Sequence, residues 1–173
     1  MNRRILGALL AAALLAAPQA LAVVPEKGSI AVFAGIGPAL PFEGDYELGF
    51  HLEAGGEYYL SNVLALRGTL GFAREGTDGG SSVTTGSFEL SAAYYARRGK
   101  WNPYVLGGFG VHTVDPPGRG PTQRLGAHFG GGVEYYLDRR TALTGQLTGR
   151  FIGGAGDRTS SFAALTAGIK YHF

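Results

Sequence analysis

The segment LGFHLEAGGEYYL, Leu48 to Leu60, decides the fold. Its even positions are Leu48, Phe50, Leu52, Ala54, Gly56, Tyr58 and Leu60; its odd positions are Gly49, His51, Glu53, Gly55, Glu57 and Tyr59. All the charge falls on one side of a two-residue period. Successive side chains of a β-strand point to opposite faces, so the period specifies a strand with one apolar and one polar face.

The same text returns at an offset of 77 as LGAHFGGGVEYYL, Leu125 to Leu137, keeping Leu, Gly, His, Gly and the closing Glu-Tyr-Tyr-Leu. Half of the chain therefore echoes the other half. Each copy is followed by a tight connection and a further alternating run. Leu64, Leu66, Gly68, Leu70 and Phe72 stand opposite Arg67 and Thr69, and Leu143, Gly145, Leu147, Gly149 and Phe151 stand opposite Thr144, Gln146, Thr148 and Arg150. Alternation also marks about 30–37, 84–97, 102–113 and 160–173. The expected fold is all-β with eight antiparallel strands.

The connections differ in character. SN, RRGKW and DRR are short, whereas PALPFEGD, REGTDGGSSV, DPPGRGPTQ and GGAGDRT are longer and rich in Gly, Pro, Asp and Ser. Short turns at one end, long loops at the other and both chain ends on the short-turn side are the layout of a transmembrane up-and-down β-barrel.

Composition agrees. The 173 residues are one domain in size. The 30 glycines follow no period and are interleaved with aromatics, so they belong to ordered structure. There are no cysteines and hence no disulfide framework. Arg3 and Arg4 precede an apolar run from Ile5 to Ala17 and the small-residue site Ala20-Leu21-Ala22, the three parts of a secretory signal peptide over residues 1–22. Cleavage before Val23 by signal peptidase is expected, after export through the Sec pathway. Without residues 1–22 the 15 Lys and Arg become 13, against 13 Asp and Glu. The basic pI of about 9.0 then carries no implication of nucleic-acid binding.

A soluble eight-stranded barrel alternates equally well with its apolar face inward. Three features point the apolar face to lipid. The segments run ten residues or more, enough to cross an apolar band about 25 Å tall at the usual tilt. Tyr58, Tyr94, Tyr135, Tyr171 and Phe173, with Trp101 nearby, gather at the short-turn end of the apolar face, as rings do at a membrane interface. Finally, Thr166, Gly168, Tyr171 and Phe173 resemble the C-terminal signal by which outer-membrane barrels are recognised by the barrel-assembly machinery.

NPYVLGGFGV followed by GGGVEYYLDRRTAL is similar to the fifth to seventh strands of small eight-stranded outer-membrane proteins of the OmpA-like and OmpX-like group. The similarity extends over 23–173, the expected barrel domain. It implies residence in the outer membrane of a Gram-negative bacterium, contact with outer-membrane lipid and lipopolysaccharide, periplasmic chaperones during biogenesis, and a monomer. A peptidoglycan-binding domain of the OmpA type is not expected after the barrel. Such resemblance fixes destination rather than activity.

With the apolar face on lipid, Glu53, Glu57, Glu89 and Glu134 turn inward against Arg67, Arg97, Arg150 and Lys170. A neutralising salt-bridge network is expected to plug the lumen, because buried charge is tolerated when paired. Inward glycines such as Gly55, Gly126 and Gly132 make room for long side chains or leave a ligand cavity. His51, His112 and His128 also face inward. His112 and His128 are expected at similar heights on neighbouring strands with Glu89 beyond, which suits a metal site or a base with an orienting carboxylate, and Ser91 is the nearest inward hydroxyl. No His-x-Ser motif of lipid A deacylases occurs, and His51 repeats in His128.

The expectation is therefore a non-enzymatic barrel with a structural or surface-interaction role, with no cofactor and no metal. A small-solute transport barrel and an outer-membrane lipid-modifying hydrolase stand as alternatives. Deleting Phe173 is expected to impair membrane insertion.

Overall fold

The computed structural model describes residues 25–42, 46–77, 82–96, 99–116, 118, 120–153 and 161–173. The expected signal peptide lies outside the described residues. Eight strands follow one another: β1 (Ile30–Pro41), β2 (Tyr46–Tyr59), β3 (Leu64–Thr77), β4 (Ser82–Tyr95), β5 (Trp101–Asp115), β6 (Thr122–Tyr136), β7 (Thr141–Ile152) and β8 (Phe162–His172). Each pairs antiparallel with its neighbours in sequence, and β8 pairs with β1, so the sheet closes into a barrel without edges. The closing ladder runs from Ala31 opposite His172 to Pro41 opposite Phe162. It is interrupted at Gly37 and Pro38, where proline has no N–H to give.

The period of two translates directly into faces. Leu66, Leu70, Phe109, Leu125 and Phe129 stand outward, each more than half exposed, while Arg67, Thr69, His112 and His128 on the same strands are buried. An apolar belt this continuous has its natural solvent in lipid. The aromatic residues sort by type along the barrel axis. Tyr58, Tyr94, Tyr135 and Tyr171 lie toward the short turns, with Tyr135 against Trp101 at 4.7 Å between ring centroids. Phenylalanines pair in the other half, Phe50 with Phe72 and Phe151 with both Phe42 and Phe129. Hydroxyl-bearing rings belong at a headgroup interface, and phenyl rings are at home in hydrocarbon. This second belt had no signal in the sequence beyond the outward parity of its members.

One expectation about the ends is corrected. The connections opposite the termini are shorter than their composition suggests: residues 42–45, 78–81 and 116–121 separate the first three hairpins, and only 153–161 is longer. Arg74, Glu75 and Gly76 pair with Thr84, Val83 and Ser82, and Thr122 to Arg124 pair with His112 to Val114. Glycine and serine there are held by the neighbouring strand, which satisfies their backbone groups whatever their intrinsic preference. A register shift between Glu47 and Phe50 puts a bulge into β2 at the same rim.

Inside the barrel two apolar layers lie far apart. Tyr59, Tyr95, Tyr104 and Leu106, with Ala31, Ala65 and Ala93, fill the end bearing the short turns. Val83, Val114, Ile152 and Phe162, with Ala39, Ala73 and Ala164, fill the other. Between these layers lie Glu53, Glu57, Arg67, Glu89, Glu134, Arg150 and Lys170.

Candidate functional site

The half of the lumen nearer the termini is organised on Glu57 of β2. Arg67 Nε donates to its Oε1 at 2.5 Å and Lys170 Nζ to its Oε2 at 2.8 Å. The hydroxyls of Tyr59 and Tyr95 donate to the same carboxylate at 2.9 and 2.7 Å. Lys170 also reaches Glu134 and the Tyr95 hydroxyl. Arg67 lies 4.5 Å from the Phe33 ring centroid and donates through Nη1 to Gln146 Oε1 at 2.5 Å, an oxygen that also accepts from Tyr104 at 2.8 Å. Glu57, Arg67, Glu134 and Lys170 are all buried, so every one of these bonds forms away from water.

Gln146 joins this group to the second. Its Nε2 donates to Glu53 Oε1 at 3.2 Å, where Thr166 Oγ1 donates at 3.1 Å. Arg150 Nη2 contacts Glu53 Oε2 at 3.2 Å, and its Nε donates to Glu89 Oε1 at 2.8 Å. His51 Nε2 lies 3.3 Å from Glu53 Oε2. Ser91 Oγ and His128 Nε2 are 2.7 Å apart, with His128 Nδ1 at 3.9 Å from Glu89 Oε2.

Of the eight charges expected in the interior, Glu53, Glu57, Arg67, Glu89, Glu134, Arg150 and Lys170 are brought together as one connected network. Arg97 lies outside the described residues. Glycine makes the room: a Cβ on Gly132 would come within 2.7 Å of the Tyr104 ring, and one on Gly55 within 2.7 Å of Phe33. A hollow of about 630 Å³ lies over Gly56, Gly68, Ala92 and Gly107, bordered by the outward Leu66, Leu90 and Phe109.

His112 and His128 both face inward on neighbouring strands, buried and within electrostatic reach of Glu89. His128 lies opposite Gly108 on β5, whereas His112 lies opposite Arg124, four residues further along the strand. Neither ring nitrogen of His112 has a hydrogen-bond partner. Among the described residues no three His, Asp, Glu or Cys side chains converge as metal ligands. Ser91, His128 and Glu89 do meet. Their geometry falls short of a charge-oriented nucleophile, because Arg150 occupies Glu89 and the carboxylate is 3.9 Å from His128 Nδ1, beyond a hydrogen bond.

Thr166, Gly168 and Tyr171 lie on β8, and Phe173 directly follows it. Tyr171 and Phe173 face outward, edge to face at 5.2 Å, and Thr166 and Gly168 face inward. The Phe173 N–H donates to the Ile30 carbonyl at 2.9 Å, tying it to β1. Thr166 has a second place in the network through Glu53. Sequence reasoning missed Gln146 as the bridge between the two halves and Tyr59, Tyr95 and Tyr104 as donors. Their inward parity was legible, but their partners lie across the lumen.

The two apolar layers close this network off. At the end near the termini, Tyr95 packs at a tilt against Tyr59 at 5.8 Å and against Tyr104 at 5.1 Å, and His172 stacks on Tyr136 at 5.2 Å. At the other end Ile152, Phe162, Val83 and Val114 are almost fully buried. What remains is a barrel with an apolar outer face and a connected ionic network inside.

Residues 7–173 match the family of the outer membrane protein beta-barrel domain, and the chain belongs to that family. It is thus an eight-stranded outer-membrane barrel. Among solved structures it resembles Neisserial surface protein A, at 19% identity and a TM-score of 0.67 over 83% of this chain and 97% of that one. It also resembles the outer membrane protein OprG from Pseudomonas aeruginosa, at 11% identity and a TM-score of 0.66 over 88% of this chain and 99% of that one. A third neighbour is the outer membrane enzyme PagL, at 15% identity and a TM-score of 0.55 over 82% of this chain and 98% of that one. At such identities the likeness is one of fold. No curated protein matches the chain.

Proposed function

We propose that the protein is a non-enzymatic outer-membrane barrel, plugged by its own ion pairs, with a structural or surface-interaction role. The observation that carries this is the shared carboxylate of Glu57, which binds Arg67, Lys170, Tyr59 and Tyr95 at once across the lumen. Eight strands leave room for side chains alone, and a network that spans the lumen occupies that room. A transport barrel needs a continuous polar path, and the tyrosine layer at one end and the aliphatic layer at the other work against one.

Planar bilayers test the reading. Purified protein is expected to give no steady, discrete conductance steps, and a reproducible unit conductance would overturn the plug.

The 2.7 Å contact of Ser91 with His128 supports a second reading, a lipid-modifying hydrolase. Against it stand the burial of Ser91 at 6% exposure and the engagement of Glu89 by Arg150. Loss of acyl chains from lipid A in vitro, abolished by His128→Ala, would establish the enzyme; no loss is expected.

A further inference from the structure

Among the described residues the two rims of the barrel differ in charge. The end bearing the termini carries four bases, Lys27, Lys100, Arg139 and Arg140, against Glu26 and Asp138. The opposite end carries three acids, Glu47, Glu75 and Asp115, against Arg74 and Arg124. In a barrel of this layout the end with the termini and the short turns faces the periplasm.

The β4–β5 and β6–β7 connections meet at this rim. The Tyr136 N–H donates to the Lys100 carbonyl at 3.0 Å, and the His172 N–H donates to the Arg140 carbonyl at 2.7 Å. Two hydrogen bonds thus fix Lys100 and Arg140 along one arc from β5 to β8, with Arg139 next to Arg140 in the same turn. Asp138, ionised in the same turn, offsets one of the arc's three positive charges. Its Oδ1 accepts from the backbone N–H groups of Arg140 and Thr141 at 2.7 and 2.8 Å, which closes the turn and holds its carboxyl below the usual range. Arg139 and Arg140 are exposed and, among the described residues, belong to no ion pair.

A second, independent feature sets the height of this arc. Trp101 and Tyr135 pack together directly below Lys100, and Arg140 Nη1 donates to the Tyr171 hydroxyl at 3.3 Å, beside Phe173. Tyrosine and tryptophan on a lipid-facing wall mark the headgroup level. A guanidinium bonded to such a tyrosine lies where lipid phosphates lie, and its planar fork suits phosphate oxygens.

We propose that this arc, Lys100, Arg139 and Arg140 over the Trp101–Tyr135 and Tyr171 rings, is a binding site for the phosphate headgroups of anionic phospholipids in the periplasmic leaflet. Charge complementarity selects the anion, and the aromatic shelf selects a lipid over the acidic groups of peptidoglycan, which lie away from the interface. The site depends on the orientation of the barrel and not on whether the lumen is plugged.

The test is native mass spectrometry of the folded protein released from detergent micelles containing equal amounts of dioleoyl phosphatidylglycerol and dioleoyl phosphatidylcholine. Wild type is expected to retain the anionic lipid several-fold over the zwitterionic one. The triple variant Lys100→Gln, Arg139→Gln, Arg140→Gln is expected to retain the two equally. Arg74→Gln with Arg124→Gln, on the opposite rim, is expected to keep the preference. Heat-modifiable gel mobility checks folding of each; should the triple variant not fold, Arg139→Gln alone, at an exposed turn residue, is expected to lower the ratio. Equal retention by wild type, a preference untouched by the rim substitutions, one lost in the Arg74 and Arg124 variant, or binding of peptidoglycan fragments without lipid preference would each overturn the site.

Discussion

The two halves of the lumen satisfy their polar groups in different ways. Near the termini one carboxylate, Glu57, accepts from two cations and two phenols, and tyrosines wall it in. In the outer half Glu53 and Glu89 share Arg150 with histidines and threonines, and His51 Nδ1, both nitrogens of His112, His128 Nδ1, Thr148 Oγ1 and Arg150 Nη1 have no hydrogen-bond partner. The difference teaches that ion pairing alone does not complete a buried network. The phenols do, because each adds a donor that orients without adding charge.

If the inner half is the tighter lock, breaking it costs most. Glu57→Gln keeps the shape but leaves Arg67 and Lys170 with one carboxylate fewer, and removing one partner of a buried pair costs roughly 3–5 kcal/mol. Urea unfolding in micelles, followed by the fluorescence of Trp101, is expected to show a clearly lowered midpoint. A midpoint equal to wild type would remove the distinction between the halves. Glu89→Gln is expected to cost less, about 1–3 kcal/mol, because Arg150 still holds Glu53 at 3.2 Å. A larger effect than Glu57→Gln would reverse the ranking.

Which residues face inward was legible because the side-chain period of a strand is two: of the eight charges that parity assigned to the interior, Glu53, Glu57, Arg67, Glu89, Glu134, Arg150 and Lys170 are buried, and Arg97 lies outside the described residues. Which residues touch was not. Lys170 meets Glu57 across 113 positions and Arg67 meets Gln146 across 79. Those distances depend on how far the strands are sheared when the sheet closes, a quantity that no single segment encodes. The outer connections were misjudged for another reason, since Gly, Ser and Thr at strand ends have the composition of loops until a neighbour supplies the ladder.

The smallest effect is the sharpest probe of the outer half. His112 is fully buried, and neither of its ring nitrogens has a partner. A Cβ on Gly126 would come within 2.7 Å of its Nε2, so the ring rests on bare backbone. Replacing a buried polar group that makes no hydrogen bond by an apolar one of similar size is close to neutral, or stabilising, since it removes a desolvated donor and acceptor at little cost in packing. His112→Leu is therefore expected to shift stability by less than about 1 kcal/mol, and His128→Leu, which loses the Ser91 bond, by about 0.5–1.5 kcal/mol. Measured in the same urea series, the order Glu57, Glu89, His128, His112 follows from how fully each group is bonded. Should His112→Leu cost as much as Glu89→Gln, the ring is engaged after all, and the outer half of the lumen is as fully integrated as the inner.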